Sequence, residues 1–267
     1  MIKFVSFLCL LGAFYPQAIL AERVPSWELG VAAIGASIPY YRGSSDRKPI
    51  VFPAPLALVH KKGIASKTQR SRLFGIHDLR MSLSVSAGLP VPEEVGNGLR
   101  EGMGSLDAML ELGPEFHYLA FTRHKHKFYM NFPLRVANII SWNNTSYKGL
   151  VFAPYVSYVL KNRVKNSWNI EVSLGPQFAS RSYHSYYYDI SAREVKPNRR
   201  EFHSDAGYSG SRLTIFAKKR FDRLWLSSFA RYDTLKKAGF ENSALVERDN
   251  VVTIGLIAGW VMRRSPH

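Results

Sequence analysis

From Trp168 to Phe178 the chain reads WNIEVSLGPQF. Trp168, Ile170, Val172, Leu174, Pro176 and Phe178 fall on one parity, Asn169, Glu171, Ser173, Gly175 and Gln177 on the other. In a strand, residues i and i+2 share a face, so this segment has one apolar face backed by one polar face. The pattern returns at Leu79, Met81, Leu83, Val85, Ala87 and Leu89, and again at Leu106, Ala108, Leu110, Leu112, Pro114, Phe116 and Tyr118. Further strand windows lie near 27–36, 50–60, 64–74, 127–140, 149–160, 209–219, 224–235 and 250–262. Each is close to the roughly 9–11 residues with which a tilted strand crosses a bilayer. Helical periodicity is absent after the N-terminal segment. Such strands meet either core and water in a soluble sheet, or lipid and a polar lumen in a membrane barrel.

The N-terminus, MIKFVSFLCLLGAFYPQAILA, has Lys3, an apolar run from Phe4 to Phe14, Pro16, and small residues at Ala18 and Ala21. This order reads as a secretory signal peptide over residues 1–21, leaving 22–267 as one β domain. Cys9 is the only cysteine and lies inside the apolar run, so the exported chain contains no disulfide. A net charge of +16 raises the question of an anionic partner. Export excludes nucleic acid and favours lipid headgroups or cell wall. No metal-ligand spacing or phosphate-cradling glycine loop appears, so no cofactor or metal is expected.

Trp27, Trp142, Trp168, Trp225 and Trp260 sit at or near strand-window ends, where an interfacial aromatic girdle belongs. The fold expected is therefore an antiparallel transmembrane β-barrel of about twelve strands, with ten as the alternative. The uncertainty in that count falls in residues 37–78. With the longer connections at 90–104, 141–148, 181–208 and 236–249 outside, the short ones become periplasmic. These are TRHKHK, KNRVKN and KKRFDR, all basic. Their candidate interaction residues are Arg123, Lys125, Lys127, Lys161, Arg163, Lys165, Lys219, Arg220 and Arg223. Charged turns also serve simply to hold strand ends in water. The polar parity supplies candidate lumen charges Arg80, Glu111, Glu115, Arg135, Glu171 and Arg212.

Other features have a bland reading beside a sharper one. LELGPEF and VSLGPQF each place Gly-Pro in a strand, which suggests matched bulges. Tyr183, Tyr186, Tyr187 and Tyr188 suit an interfacial belt continued into a loop, or a sugar-stacking surface. Arg193, Lys196, Arg199 and Arg200 suit lipopolysaccharide phosphates. His184-Ser185 and His203-Ser204 raise a hydrolase, yet adjacent residues on a strand face opposite ways, so neither pair is itself a dyad there.

Several segments together resemble the MltA-interacting protein (MipA/OmpV) family of Gram-negative outer membranes. They are GVAAIGASIPYYRGSSDRKPIVFPAPLALV at 30–59, GMGSLDAMLELG at 102–113, SLGPQFASRSYHSYYYDIS at 173–191 and ERDNVVTIGLIAGWVM at 247–262. Three features depart from the family pattern: Tyr187-Tyr188-Asp189-Ile190-Ser191, the basic first loop with Arg42, Arg47 and Lys48, and the RRSPH tail after the last strand. The resemblance implies a non-enzymatic outer-membrane barrel that joins a murein hydrolase to a murein synthase. Its implied partners are outer-membrane lipid, lipopolysaccharide and peptidoglycan-remodelling enzymes. A small channel, a surface adhesion or stress-response barrel, and a lipid hydrolase are the competing functions.

Overall fold

The computed structural model describes residues 27–59, 72–73, 76–95, 98–141, 145–162 and 166–265. The leader expected over 1–21, most of the 64–74 window and Trp142 lie outside the described residues.

The chain is all-β. Its strands are β1 (Trp27–Pro39), β2 (Arg47–Val59), β3 (Arg72–Leu73), β4 (Ile76–His77), β5 (Leu79–Gly88), β6 (Ala108–Arg123), β7 (His126–Ile140), β8 (Thr145–Phe152), β9 (Tyr155–Leu160), β10 (Asn169–Ala179), β11 (Gly207–Phe221), β12 (Leu224–Thr234) and β13 (Asn250–Arg264). Eleven of these form one sheet in which the observed pairings are antiparallel and the order is β2-β1-β13-β12-β11-β10-β8-β7-β6-β5, with β9 between β7 and β10. β1 pairs with both β2 and β13, so the first and last strands are neighbours, the closure that a meander makes when it rolls into a barrel. The ends of the order, β2 and β5, flank residues 60–78, of which 60–71 and 74–75 lie outside the described set.

β8 and β9 both lie between β7 and β10, and together they make one traverse broken at Ala153-Pro154. Proline has no N–H for the ladder, which explains the break. The eleven strands therefore make ten crossings, the lower of the two expected counts. Short turns join β6 to β7 and β11 to β12, with His124 at φ 53° and Asp222 at φ 34°. His and Asp tolerate that left-handed region better than branched residues do. These turns, the β9–β10 connection and both described chain ends occupy one rim. The connections 40–46, 89–107, 180–206 and 235–249 occupy the other.

Burial is inverted relative to a water-soluble protein. Val51, Leu256 and Met262 are 84%, 67% and 61% exposed. Leu29, Val31, Leu83, Leu134, Val136, Leu150, Val156, Leu174, Ile215 and Ile254 are exposed around the same outer wall. Meanwhile Glu28, Glu111, Glu115, Asn131, Arg135, Gln177, Asp233 and Thr253 are buried. A continuous apolar exterior of this extent suits hydrocarbon rather than water. No helix among the described residues is long and apolar enough to cross a membrane.

Two expectations change. The Tyr-rich segment contains a helix, α1 (Arg181–Tyr188), which the alternation count does not show because tyrosines pack on several of its sides. The Gly-Pro pairs are not matched bulges either. β10 shifts register between Pro176 and Phe178, whereas β6 keeps register across Gly113-Pro114 and shifts at Leu119/Phe121. What the two share is close backbone approach: a Cβ at Gly113 would stand 1.9 Å from the Leu134 carbonyl oxygen, and one at Gly175 would stand 2.1 Å from that of Pro154.

Gly175→Ala is therefore expected to destabilise the barrel by about 1–3 kcal/mol through forced separation of β9 and β10. Gly35→Ala, whose Cβ would meet nothing within 4 Å, is expected to change stability by less than about 0.5 kcal/mol. Urea unfolding followed by the heat-modifiable electrophoretic band checks both, and equal midpoints would contradict the contact argument.

Candidate functional site

The interior face of the sheet builds the first candidate site. Glu111 on β6 accepts from Arg135 Nε on β7 at 2.9 Å and from the Tyr183 hydroxyl on α1 at 2.8 Å. Arg135 also reaches Ser84 on β5 at 3.4 Å. One step along β6, Glu115 accepts from the Tyr155 hydroxyl at 2.7 Å. His117 bonds Ser82 at 2.6 Å and Asn131 at 2.8 Å, and Asn131 donates to Ser157 at 3.1 Å. Across the barrel, Asp233 on β12 is fully buried and faces three guanidinium groups: Arg212 at 2.9 Å, Arg231 at 3.0 Å and Arg42 at 3.3 Å. Of the six charges assigned to the lumen from sequence, Glu111, Glu115, Arg135 and Arg212 enter these networks. Arg80 and Glu171 share the interior parity and are exposed. Asp233 lies within the 224–235 strand window but is not among the charges assigned to the lumen from sequence.

A cap closes the long-loop end over this network. Tyr41, Tyr183, Tyr187, Tyr188, Leu235 and Phe240 form a buried apolar cluster, with Tyr188 stacked on Phe240 at 3.8 Å between ring centroids. The Tyr188 hydroxyl donates to the Arg42 carbonyl at 2.8 Å, and that of Tyr41 to the Leu245 carbonyl at 2.9 Å. Burial pushes the phenols of Tyr41, Tyr183, Tyr187 and Tyr188 up, and that of Tyr186 to about 12. The tyrosines are thus core, not an interfacial belt; only Tyr186 stays partly open.

Neither adjacent His-Ser pair is a dyad. Ser185 donates to the Ser182 carbonyl, Ser204 Oγ is buried without a partner, and His203 lies beside Glu201 and Asp189. His184 instead donates from Nδ1 to the Asp205 carbonyl at 2.6 Å and accepts at Nε2 from Ser209. His184 and Ser209 are both fully buried, so no substrate reaches that pair. Burial holds the His184 imidazole below its ordinary value of 6.5.

The opposite rim carries the second candidate site. Trp27, Trp168 and Trp260 are half-exposed there, and Trp225 begins β12 at the same level. Tyr147, Phe178 and Tyr232 are exposed toward the other end, so aromatic residues bracket the apolar wall. Among the basic turn residues, Arg123, Lys125 and Arg223 are exposed, while Lys127 and Lys161 are half-buried. Lys219 lies over Trp168 and Phe221 at 5.6 and 4.4 Å. Arg220 is a latch rather than a docking group: its Nη1 donates to the fully buried Glu28 at 2.9 Å, tying β11 to β1. Arg163 and Lys165 lie outside the described residues. On the long-loop side Arg193 and Arg200 are exposed, but Lys196 pairs with Glu101 at 3.0 Å and Arg199 is buried against backbone carbonyls, so neither is available to lipopolysaccharide.

Residues 29–262 match the family model described as MltA-interacting protein MipA. Among solved structures, the outer membrane protein OprG from Pseudomonas aeruginosa is 8% identical, over 89% of this chain and 94% of that one, with a TM-score of 0.24. Two structures of the Pseudomonas putida toluene transporter TodX are 11% and 13% identical over 92% of this chain and 69% and 68% of theirs, with TM-scores of 0.28 and 0.31. No curated protein matches the chain.

The charge arrangement around Asp233 fixes the sign of two substitutions. Asp233→Asn leaves three guanidinium groups facing one another and is expected to cost about 3–5 kcal/mol, whereas Arg231→Gln relieves like-charge crowding and is expected to cost less. Urea midpoints of the two variants decide, and the reverse order would refute the assignment. His184 supplies a pH dependence. Its docked pKa is lowered, so the undocked segment binds the proton more readily; stability is full above about 6.5 and is lost as pH falls below it. Protection of the α1 amides, taken relative to their intrinsic exchange rate at each pH, is expected to fall between about pH 7 and 5, and to lose that dependence in His184→Gln.

Proposed function

The chain belongs to the MltA-interacting protein family, and on that premise we propose that it is a non-enzymatic outer-membrane barrel that brings murein hydrolase and synthase together. The reading takes the short-turn rim as periplasmic and the capped rim as external, as in barrels with short periplasmic turns and long outer loops. A leader cut after Ala21 delivers residues 22–267 to that membrane.

The observation that carries the proposal is the placement of exposed Arg123, Lys125 and Arg223 on the rim that also bears the tryptophans. Cations at that level stand just clear of the apolar wall, facing anionic cell wall or an acidic protein surface. Complementary charge of this kind sets encounter rate and orientation more than affinity. The interior argues against a wide pore: buried clusters around Glu111, Glu115 and Asp233 fill the inner wall, and α1 is bonded to Glu111 from above. Among the described residues the His184–Ser209 contact is fully buried with no access for substrate, and the His117–Ser82 contact on the inner wall is taken up in the hydrogen-bond chain through Asn131 to Ser157.

The test is photo-crosslinking in cells from position 125, on the β6–β7 turn, with mass spectrometry of what is captured. Recovery of a murein hydrolase or synthase, lost when Arg123, Lys125 and Arg223 are changed to Glu, is the expected result. Unchanged capture by the charge-reversed protein, with its barrel folded, would remove the role of the basic turns. Absence of any murein enzyme would remove the scaffold.

A further inference from the structure

Between the 89–107 connection, α1 and the strap that follows α1 lies a cavity of about 260 Å³. Its wall includes Arg100, Met103, Leu106, Tyr186, Asp189 and His203. Ser185, Ser191 and Glu194 complete it.

The unusual member is Arg100. It is only 2% exposed, one of the largest buried side chains among the described residues. Its Nη1 donates to the Tyr187 carbonyl at 3.2 Å, and its guanidinium lies over the Tyr41 ring at 5.9 Å. Its Nε is buried with no hydrogen-bond partner, and among the described residues it forms no ion pair with a carboxylate. The neighbouring Arg199, 1% exposed, spends its donors on the carbonyls of Glu194, Leu99 and Glu101 and brings no negative charge. The two acids of the cavity are committed elsewhere. Glu194 accepts from the Ser191 backbone N–H and hydroxyl at 2.8 and 2.6 Å, and Asp189 accepts from the Ser204 N–H at 2.6 Å with His203 at 3.7 Å.

A buried cation normally has a paired anion, because leaving it unpaired costs several kcal/mol. Among the described residues no carboxylate lies within ion-pair distance of Arg100, with Glu194 acting on it only from a distance, and the cavity that Arg100 lines has room for an anion. The geometry points to this cavity as a binding site for a small hydroxylated organic anion of about sugar-acid size, its carboxylate or phosphate on Arg100. The Tyr186 and Ser185 hydroxyls and His203 stand where a polyol's oxygens would find partners, and Asp189 and Glu194 retain lone pairs for its hydroxyl hydrogens. Met103 and Leu106 give the carbon chain an apolar wall. The site lies on the long-loop rim and is independent of the turn residues that carry the scaffold proposal.

Isothermal titration of the full chain, folded in detergent and checked by heat-modifiable mobility, tests this with gluconate, sorbitol 6-phosphate and sorbitol. Saturable binding of gluconate or of sorbitol 6-phosphate, with none for sorbitol, is expected; which anion binds separates a carboxylate from a phosphate ligand. Arg100→Gln is expected to weaken binding by at least about tenfold, the loss of one charged hydrogen bond. His203→Gln at the exposed mouth, which leaves the buried package untouched, is expected to weaken it by a smaller factor. Absence of saturable binding by both anions overturns the inference. So does full affinity in a folded Arg100→Gln protein, or, where that variant does not fold, full affinity in His203→Gln.

Discussion

Asp233 is the interaction on which the interior of this protein depends. One carboxylate with no exposure accepts a hydrogen bond from Arg212 on β11 and forms ion pairs with Arg231 on its own strand β12 and Arg42 in the β1–β2 connection. Removing the carboxylate would leave three cations within a few ångströms of one another in a region that water reaches poorly, so the group cannot be exchanged for a neutral one without loss. Arg42 then carries the constraint upward. Its backbone carbonyl accepts from Tyr188 and its Nη1 donates to Gln177, so the same residue that caps the ion cluster also fixes α1 over the barrel mouth. A charge cluster in the wall and an aromatic cluster in the cap are thus two ends of one linkage.

The location of the apolar core follows from the same inversion. A barrel wall that gives its large apolar side chains to lipid has few left for its interior, so the interior is satisfied by hydrogen bonds between side chains on different strands. The main buried apolar cluster forms instead where long connections fold back, around Tyr41, Tyr187, Tyr188 and Phe240. These loops behave as a small domain seated in the barrel mouth. Their order depends on the hydroxyl of Tyr183 reaching Glu111 and on a neutral His184 bridging the Asp205 carbonyl and Ser209. Each of these is a polar contact between cap and wall, so docking of the cap is specified by hydrogen bonding more than by apolar area.

The wall was legible in the sequence because period-two alternation is a local property, and lipid outside with polar groups inside preserves it along every strand. The family likeness at 30–59 and 173–191 agrees with the family match over 29–262. The cap was not legible, for a physical reason. Tyr183, Tyr187 and Tyr188 satisfy no helical stripe, since α1 is buried on several sides by segments up to about 150 residues away in the chain, and no sequence window contains those partners. Parity identified Glu111, Arg135 and Arg212 as interior candidates, but it could not pair them, because pairing depends on the register of neighbouring strands, in which Arg212 stands opposite Asp233 and Arg135 lies diagonal to Glu111. Arg220 shows the converse error. In KKRFDR it looks like one more exposed cation, yet its partner Glu28 lies at the far end of the sequence.

The two rims are built on different principles, and this bears on where recognition resides. On the short-turn rim the strands end in tight turns whose geometry comes from the ladder itself, so exposed cations such as Lys125 are held in place without a tertiary fold around them. On the long-loop rim every connection depends on its neighbours: Arg199 ties the 89–107 connection to the strap, and Ser243 ties the 235–249 connection to Tyr188. A rigid rim with simple charges suits a large partner that needs orientation, and a folded cap with an unpaired buried arginine suits a small ligand that needs enclosure. The barrel separates these by the thickness of its apolar wall. Both charge clusters reach the cap, Asp233 through Arg42 and Glu111 through Tyr183, so the inverted burial ties the long-loop rim to the wall by polar contacts that the short-turn rim does without.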